Sequence, residues 1–143
     1  MDEQRTAKVF SVEEANSLVP KISESMGNVK LLFQRMKSLE KDVADLRYIW
    51  GNDITDTSNL DNSYYMEKVV AHGRTAQEVN AIIQEVNALG CVVKDAETGL
   101  VDFYHDNNGR LVFLCWHHGE QKVDHWHEIQ NGSSTRQHLR EMR

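Results

Sequence analysis

The chain is poor in proline and cysteine and has no excess of positive charge. One Pro in 143 residues, beside three Trp, four Tyr and four Phe, excludes a disordered, low-complexity composition. Two cysteines, Cys91 and Cys115, are too few for a disulfide framework and read as reduced thiols. The formal net charge is −6 and the pI about 5.6, and no run of like charges stands out. The clustered basic surface that a phosphate backbone needs is therefore missing, which excludes nucleic acid as a partner. No apolar run approaches the roughly 18 residues of a membrane span, and the opening MDEQRTAKVF has no apolar signal core. The expectation is a soluble, cytoplasmic protein with no membrane partner. Its length suits a single domain, 1–143, built on one core.

What the sequence does have is heptads. Ala15, Leu18, Ile22, Ser25, Val29, Leu32, Met36, Leu39, Val43, Leu46 and Trp50 alternate spacings of three and four, the seam of a helix packed lengthwise on a partner. Ser11 can cap this helix, Glu14 completes a capping box, and Phe10 is placed to form the outer half of a hydrophobic staple. The spacing predicts a helix over 11–50, kinked or split near Pro20 and on the order of 60 Å long. GNDITDTSNLDN (51–62) is rich in turn formers and reads as a connection. A second seam over 63–89 follows through Tyr65, Val69, His72, Ala76, Val79, Ile83 and Val86, and Gly90 ends it. Phe33, Ile49, Val70 and Ile82 lie off both seams and could pair with another copy, so self-association through the helical hairpin is expected.

After Gly90 the hydrophobic period changes to two. CVVK, LVDFY, RLVFLCWH and VDHWHEI are short β-rich runs separated by DAETG, HDNNG and GEQK, which predicts an antiparallel meander over 91–130. Residues 131–143 read as a polar tail. The fold class is α+β, with a long antiparallel, coiled-coil-like helical hairpin followed by a small antiparallel β-meander.

KDAETGLVDF, LCWHHGE and WHEI, in that order, together with the opening FSVEEANSLVPKI, resemble the bacterial and archaeal family called domain of unknown function 2203. The resemblance implies this fold and these boundaries, and it implies no activity. Related sequences usually carry Arg-Leu after the Cys-Trp pair, where this chain has His117 and His118. They usually carry Tyr before Trp-His-Glu, where this chain has His125. The polar residues that match are Asp102, Glu120, His127 and Glu128, and a site common to the family would draw on those.

The stretch LCWHHGEQKVDHWHEI gathers His117, His118, His125 and His127 around Cys115 and Glu120. Residues two apart on a strand face the same way, so His125 and His127 form one pair of aligned ligands and Cys115 and His117 another. The register of the GEQK hairpin decides how they meet. In one register Cys115 stands opposite His127 and His117 opposite His125, a Cys-His₃ set. In the other Trp116 opposes His125, Leu114 opposes His127, and His118, His125 and His127 share a face within reach of Glu120. The second is favoured because a four-residue loop is ordinary and Leu114 and Trp116 then look toward the helices. Both point to a divalent transition metal, zinc first and iron second. Against them stands a plain reading, an imidazole-rich contact surface on a non-catalytic interaction module. Glu120 or Glu128 would be the base for a metal-bound water. His72 in the second seam is either a polar note fixing register or part of a site at the helix–sheet junction. Asp102, set among apolar neighbours, needs a partner: Arg110 across the hairpin, or a histidine that it orients. No serine-triad, Walker or dinucleotide motif occurs, and the small-molecule substrate stays unnamed.

Overall fold

The computed structural model describes residues 8–142. Helix α1 runs Val12–Trp50 and helix α2 Asn62–Asn87. The capping box forms as expected: Glu14 N–H donates to Ser11 Oγ at 3.0 Å, and Ser11 N–H to Glu14 Oε1 at 2.8 Å. Pro20 does not split α1, which continues as one helix through it. The two helices lie antiparallel, tied across the hairpin by His72 to Glu40 at 2.8 Å, by Lys68 to Asp42 at 3.4 Å, and by Arg47 to the Tyr65 hydroxyl. Between them, a 3₁₀ turn at Gly51–Thr55 buries Ile54 against Leu46 and Tyr65, closing the far end of the hairpin.

The buried residues of α1 are Ala15, Val19, Ile22, Met26, Val29, Leu39 and Leu46. Val19 and Met26 are buried beside the expected Leu18, which packs partly buried on the same core, and in place of Ser25, because the base of this helix packs on a sheet as well as on α2. On α2 the seam residue Val69 is 38% exposed. Phe33 and Ile82, expected to face another copy, are partly buried against the core instead.

The sheet has five antiparallel strands in sequential order: β1 Val92–Asp95, β2 Leu100–Asn107, β3 Arg110–His117, β4 His125–Glu128 and β5 Gln137–His138. The fifth comes from the expected polar tail, which also forms 3₁₀ turns at Ser133–Thr135 and Leu139–Glu141. Alternation puts Val101, Phe103, Val112, Leu114, Trp116 and Trp126 on the helix side, all in the main core with Ile22, Met26, Val79 and Val86. Burying each such large side chain contributes roughly 1.5–3 kcal/mol. Phe10 joins them: its N–H donates to the Tyr104 carbonyl at 2.7 Å, and its ring meets Phe103 edge-on at 5.2 Å.

Neither anticipated register of the last hairpin is adopted. Cys115 stands opposite His125, Leu114 opposite Trp126, and Phe113 opposite His127. The connection between β3 and β4 is longer than GEQK because several contacts draw it down. Val123 is buried in the core and its N–H donates to Asn16 Oδ1 on α1 at 2.6 Å. Trp116 Nε1–H donates to the Glu120 carbonyl at 3.0 Å, and His118 N–H to the Gly99 carbonyl at 2.9 Å.

Gly99 turns β1 into β2 at φ +82°, and a Cβ there would stand 2.5 Å from the Cβ of His118. Gly99→Ala therefore both strains the turn and pushes His118 away. Urea unfolding should show a loss of about 2 kcal/mol, with the His118 imidazole resonances displaced.

Candidate metal centre

Where strands β2, β3 and β4 pass side by side, the sheet turns a second face away from the helices. Asp102, Cys115 and His125 lie in one cross-strand row on it, with Tyr104, Phe113 and His127 in the next. This outer face is not left to water. Tyr104 and Phe113 rings meet at 4.6 Å, Phe113 and His127 at 5.4 Å, and the Lys94 ammonium caps Phe113 at 4.6 Å. Beneath that cover Asp102, Cys115 and His127 are at most 3% exposed.

Among the described residues, two groups bring three ligand-bearing side chains together: Asp102, Cys115 and His127, all buried, and Glu120, Asp124 and His125, partly exposed. In each, the ligand atoms lie within 4.8 Å of one another. The buried group has the more demanding chemistry. His127 Nδ1 is 2.8 Å from the carbonyl oxygen of Glu128, and a carbonyl only accepts, so Nδ1 carries the proton. In a neutral ring Nε2 is then a lone pair, yet it faces Asp102 Oδ2 at 3.0 Å. Two acceptors at that distance need a cation between them, a proton or a metal ion. The other oxygen, Asp102 Oδ1, is buried with no hydrogen-bond partner among the described residues. An imidazole whose Nδ1–H is fixed by a carbonyl and whose Nε2 carries no proton is the form in which histidine binds metals.

The ionisable groups respond to this burial. Loss of water pushes the Asp102 carboxyl up from its ordinary value, opposed by His127, by the Cys115 thiol and by Lys94. Burial, and then the charge of Asp102, push the Cys115 thiol up to about 11, while Arg136 pulls it down. Arg136 reaches over from the segment before β5, with Nη1 3.7 Å from Cys115 Sγ and 3.3 Å from Glu120 Oε1, and it also pairs with Glu120 through Nη2.

The expected ligands are thus divided. Cys115 and His127 join Asp102. His125 belongs to the neighbouring group: its Nδ1 is 2.8 Å from Asp124 Oδ1 and 3.6 Å from Glu120 Oε2, but the nearer contact is too poorly aligned to be a hydrogen bond. His117 and His118 belong to neither group. The His117 Nδ1 lies 3.1 Å from the His118 carbonyl, and both residues line a cleft of about 260 Å³ with Lys30 and Thr98 on the other side of the sheet's edge. Glu128 is held by Arg110 at 2.6 Å, on the opposite face from Cys115 and His127, which removes it as a base and takes Arg110 away from Asp102. His72 sits in the helical hairpin with Glu40, apart from both groups. Two participants went unnoticed in the sequence. Asp124 is a neighbour of His125 that no spacing singles out, and Arg136 lies in a segment whose polarity resembles that of a frayed end.

The model of an uncharacterized conserved protein family, DUF2203, matches residues 8–139 of the chain. The chain belongs to this family. No curated protein and no solved structure matches it. The matched span includes Asp102, Cys115 and His127 and assigns them no role. Among the described residues no helix is long and apolar enough to cross a membrane.

Cys91 is also buried, its S–H directed at the Val86 carbonyl at 3.3 Å, and burial pushes its thiol up to about 11 as well. With no metal bound, both thiols therefore hold their protons in the folded chain when those of the unfolded chain, near 9.0, have lost theirs. Their stabilisation is complete below about pH 9 and is lost as the pH rises through about 11. Alkaline unfolding followed by circular dichroism should show that decline, on the order of 2 kcal/mol per thiol. Cys115→Ser should flatten the slope.

Proposed function

We propose that the protein binds one divalent transition metal ion, zinc in first place and iron in second, through Asp102 of β2, Cys115 of β3 and His127 of β4. The observation that supports this most is the facing of His127 Nε2 and Asp102 Oδ2 at 3.0 Å in a buried place, with Nδ1 already committed to a carbonyl. A metal ion would satisfy both atoms, take up the unpartnered Asp102 Oδ1 or leave it beside the ion, and hold Cys115 as a thiolate. A thiolate, an imidazole and a carboxylate suit zinc, and three protein ligands leave a tetrahedral ion one position for water. Of the two carboxylates considered as a base for such a water, Glu120 is the one on the right face, bound to Arg136. The setting is the cytoplasm, where thiols stay reduced.

The test is elemental analysis and cobalt titration of the untagged full chain. Near-stoichiometric zinc is expected, with a sulfur-to-cobalt charge-transfer band on substitution. Cys115→Ser, His127→Gln and Asp102→Asn should each weaken binding by roughly 100-fold or more, whereas His125→Ala should change it by only a few-fold. A folded chain that takes up no metal would overturn the reading and leave Asp102 and His127 as a proton-bridged structural pair.

A second reading rests on the outer half of the helical hairpin. Ile49 is 67% exposed and Val70 51%, with Tyr48, Leu60, Met66 and Val69 also open to solvent. We infer that a second copy of the chain covers this surface, since exposed apolar side chains on both helices gain by being buried against their own kind. Light scattering on Ile49→Lys with Val70→Lys should then report a smaller particle than the parent, with metal uptake unchanged.

A further inference from the structure

The geometry points to Arg136 as a cation built into the chain that competes with the metal, so that metal uptake loosens the C-terminal segment 131–142. This rests on the metal reading of Asp102, Cys115 and His127. Arg136 Nη1 lies 3.7 Å from Cys115 Sγ. A zinc ion sits about 2.3 Å from a thiolate sulfur, so the ion and this guanidinium nitrogen would be no more than about 6 Å apart. Two cations that close, in a place largely shielded from water, repel strongly. The side chain of Arg136 is 23% exposed and has room to withdraw, unlike the three ligands below it.

Withdrawal has a structural consequence because Arg136 does more than cover the sulfur. Through Glu120 it fastens the segment before β5 to the connection between β3 and β4. Apart from Arg136, the segment is attached by Leu139 and Met142, which pack partly buried against the main core, and by a few backbone contacts. β5 is two residues long and pairs only His138 with His125 and Gln137 with Trp126, and Leu139 N–H donates to the Asp124 carbonyl at 2.9 Å. His138 Nε2 adds a 3.7 Å contact to Asp124 Oδ2. Held by so short a strand and by side chains that are only partly buried, the segment is sensitive to the loss of a charged latch. Linkage makes the effect reciprocal: whatever the metal does to the latch, the latch does to the affinity for metal.

Two measurements on the full chain test this. Hydrogen exchange with and without zinc reads the segment directly. Amides in 131–142, Leu139 above all, should lose protection by roughly tenfold when zinc is bound, while β2 and β3 gain it. Cobalt titration of Arg136→Gln should give binding roughly tenfold tighter than the parent, with Arg136→Lys between the two. Arg136→Gln bears directly on the sign, because Arg136 also lowers the proton affinity of Cys115. If it serves chiefly to favour the thiolate, Arg136→Gln binds metal more weakly and the inference is wrong. It is equally wrong if zinc binds the parent and the segment keeps or gains protection. Absence of metal binding by both the parent and Arg136→Gln would sink the metal reading itself, whereas binding by Arg136→Gln alone would show the competition at its strongest.

Discussion

A carboxylate almost out of reach of water has to be answered by its surroundings, and the answer given to Asp102 organises the outer face of the sheet. Its strand, β2, lies between β1 and β3, so no neighbour on the helix side can help: alternation has already assigned Val101 and Phe103 to that side. The answer comes from one strand further on. His127 reaches diagonally across β3 from β4, and its own ring is oriented by the Glu128 carbonyl. Cys115, directly opposite Asp102, fills the floor between them. A lone charge in this position would cost several kcal/mol, and pairing within a covered patch is what makes it tolerable.

The two faces of β3 follow from that arrangement. Leu114 and Trp116 bring it onto the helices, and Phe113 and Cys115 bury it on the other side, so the central strand is covered twice in a small sheet. Tyr104, Lys94 and Arg136 supply the second cover from three different elements. This second core is small and polar, unlike the first, and its few members depend on one another closely. The helical hairpin contributes nothing to it directly, but Asn16 on α1 holds Val123 and thereby sets where β4 begins.

Much of the architecture was legible in the residues. Heptads gave the helices, the change to a period of two gave the strands, and the capping residues marked where α1 starts. The site was legible only in part. Asp102, Cys115 and His127 could be picked out as candidates from a charge, a thiol and an imidazole among apolar neighbours, yet their meeting could not, because it hangs on a register that a two-fold periodicity leaves open. The register was decided by Val123 sinking into the core and by the Trp116 indole binding the Glu120 carbonyl, both non-local or loop contacts with no repeating signature. Local spacing also overrated His117, at the end of β3, and His118, in the turn after it, neither of which joins the two groups. Arg136 had no signal at all, since a basic residue among Ser, Thr and Gln looks the same whether it frays or locks.

Asp102, Cys115 and His127 come from three successive strands, and that sequence of origins sets an order in time. A nascent chain emerging from the ribosome can make both helices and the β2–β3 hairpin before β4 exists. Until β4 docks, Asp102 and Cys115 lie on a bare face with no imidazole to complete them. The outer face is therefore finished only once β4 has been synthesised, and a chain cut short before His127 would present an acidic, thiol-bearing surface that the folded sheet keeps covered.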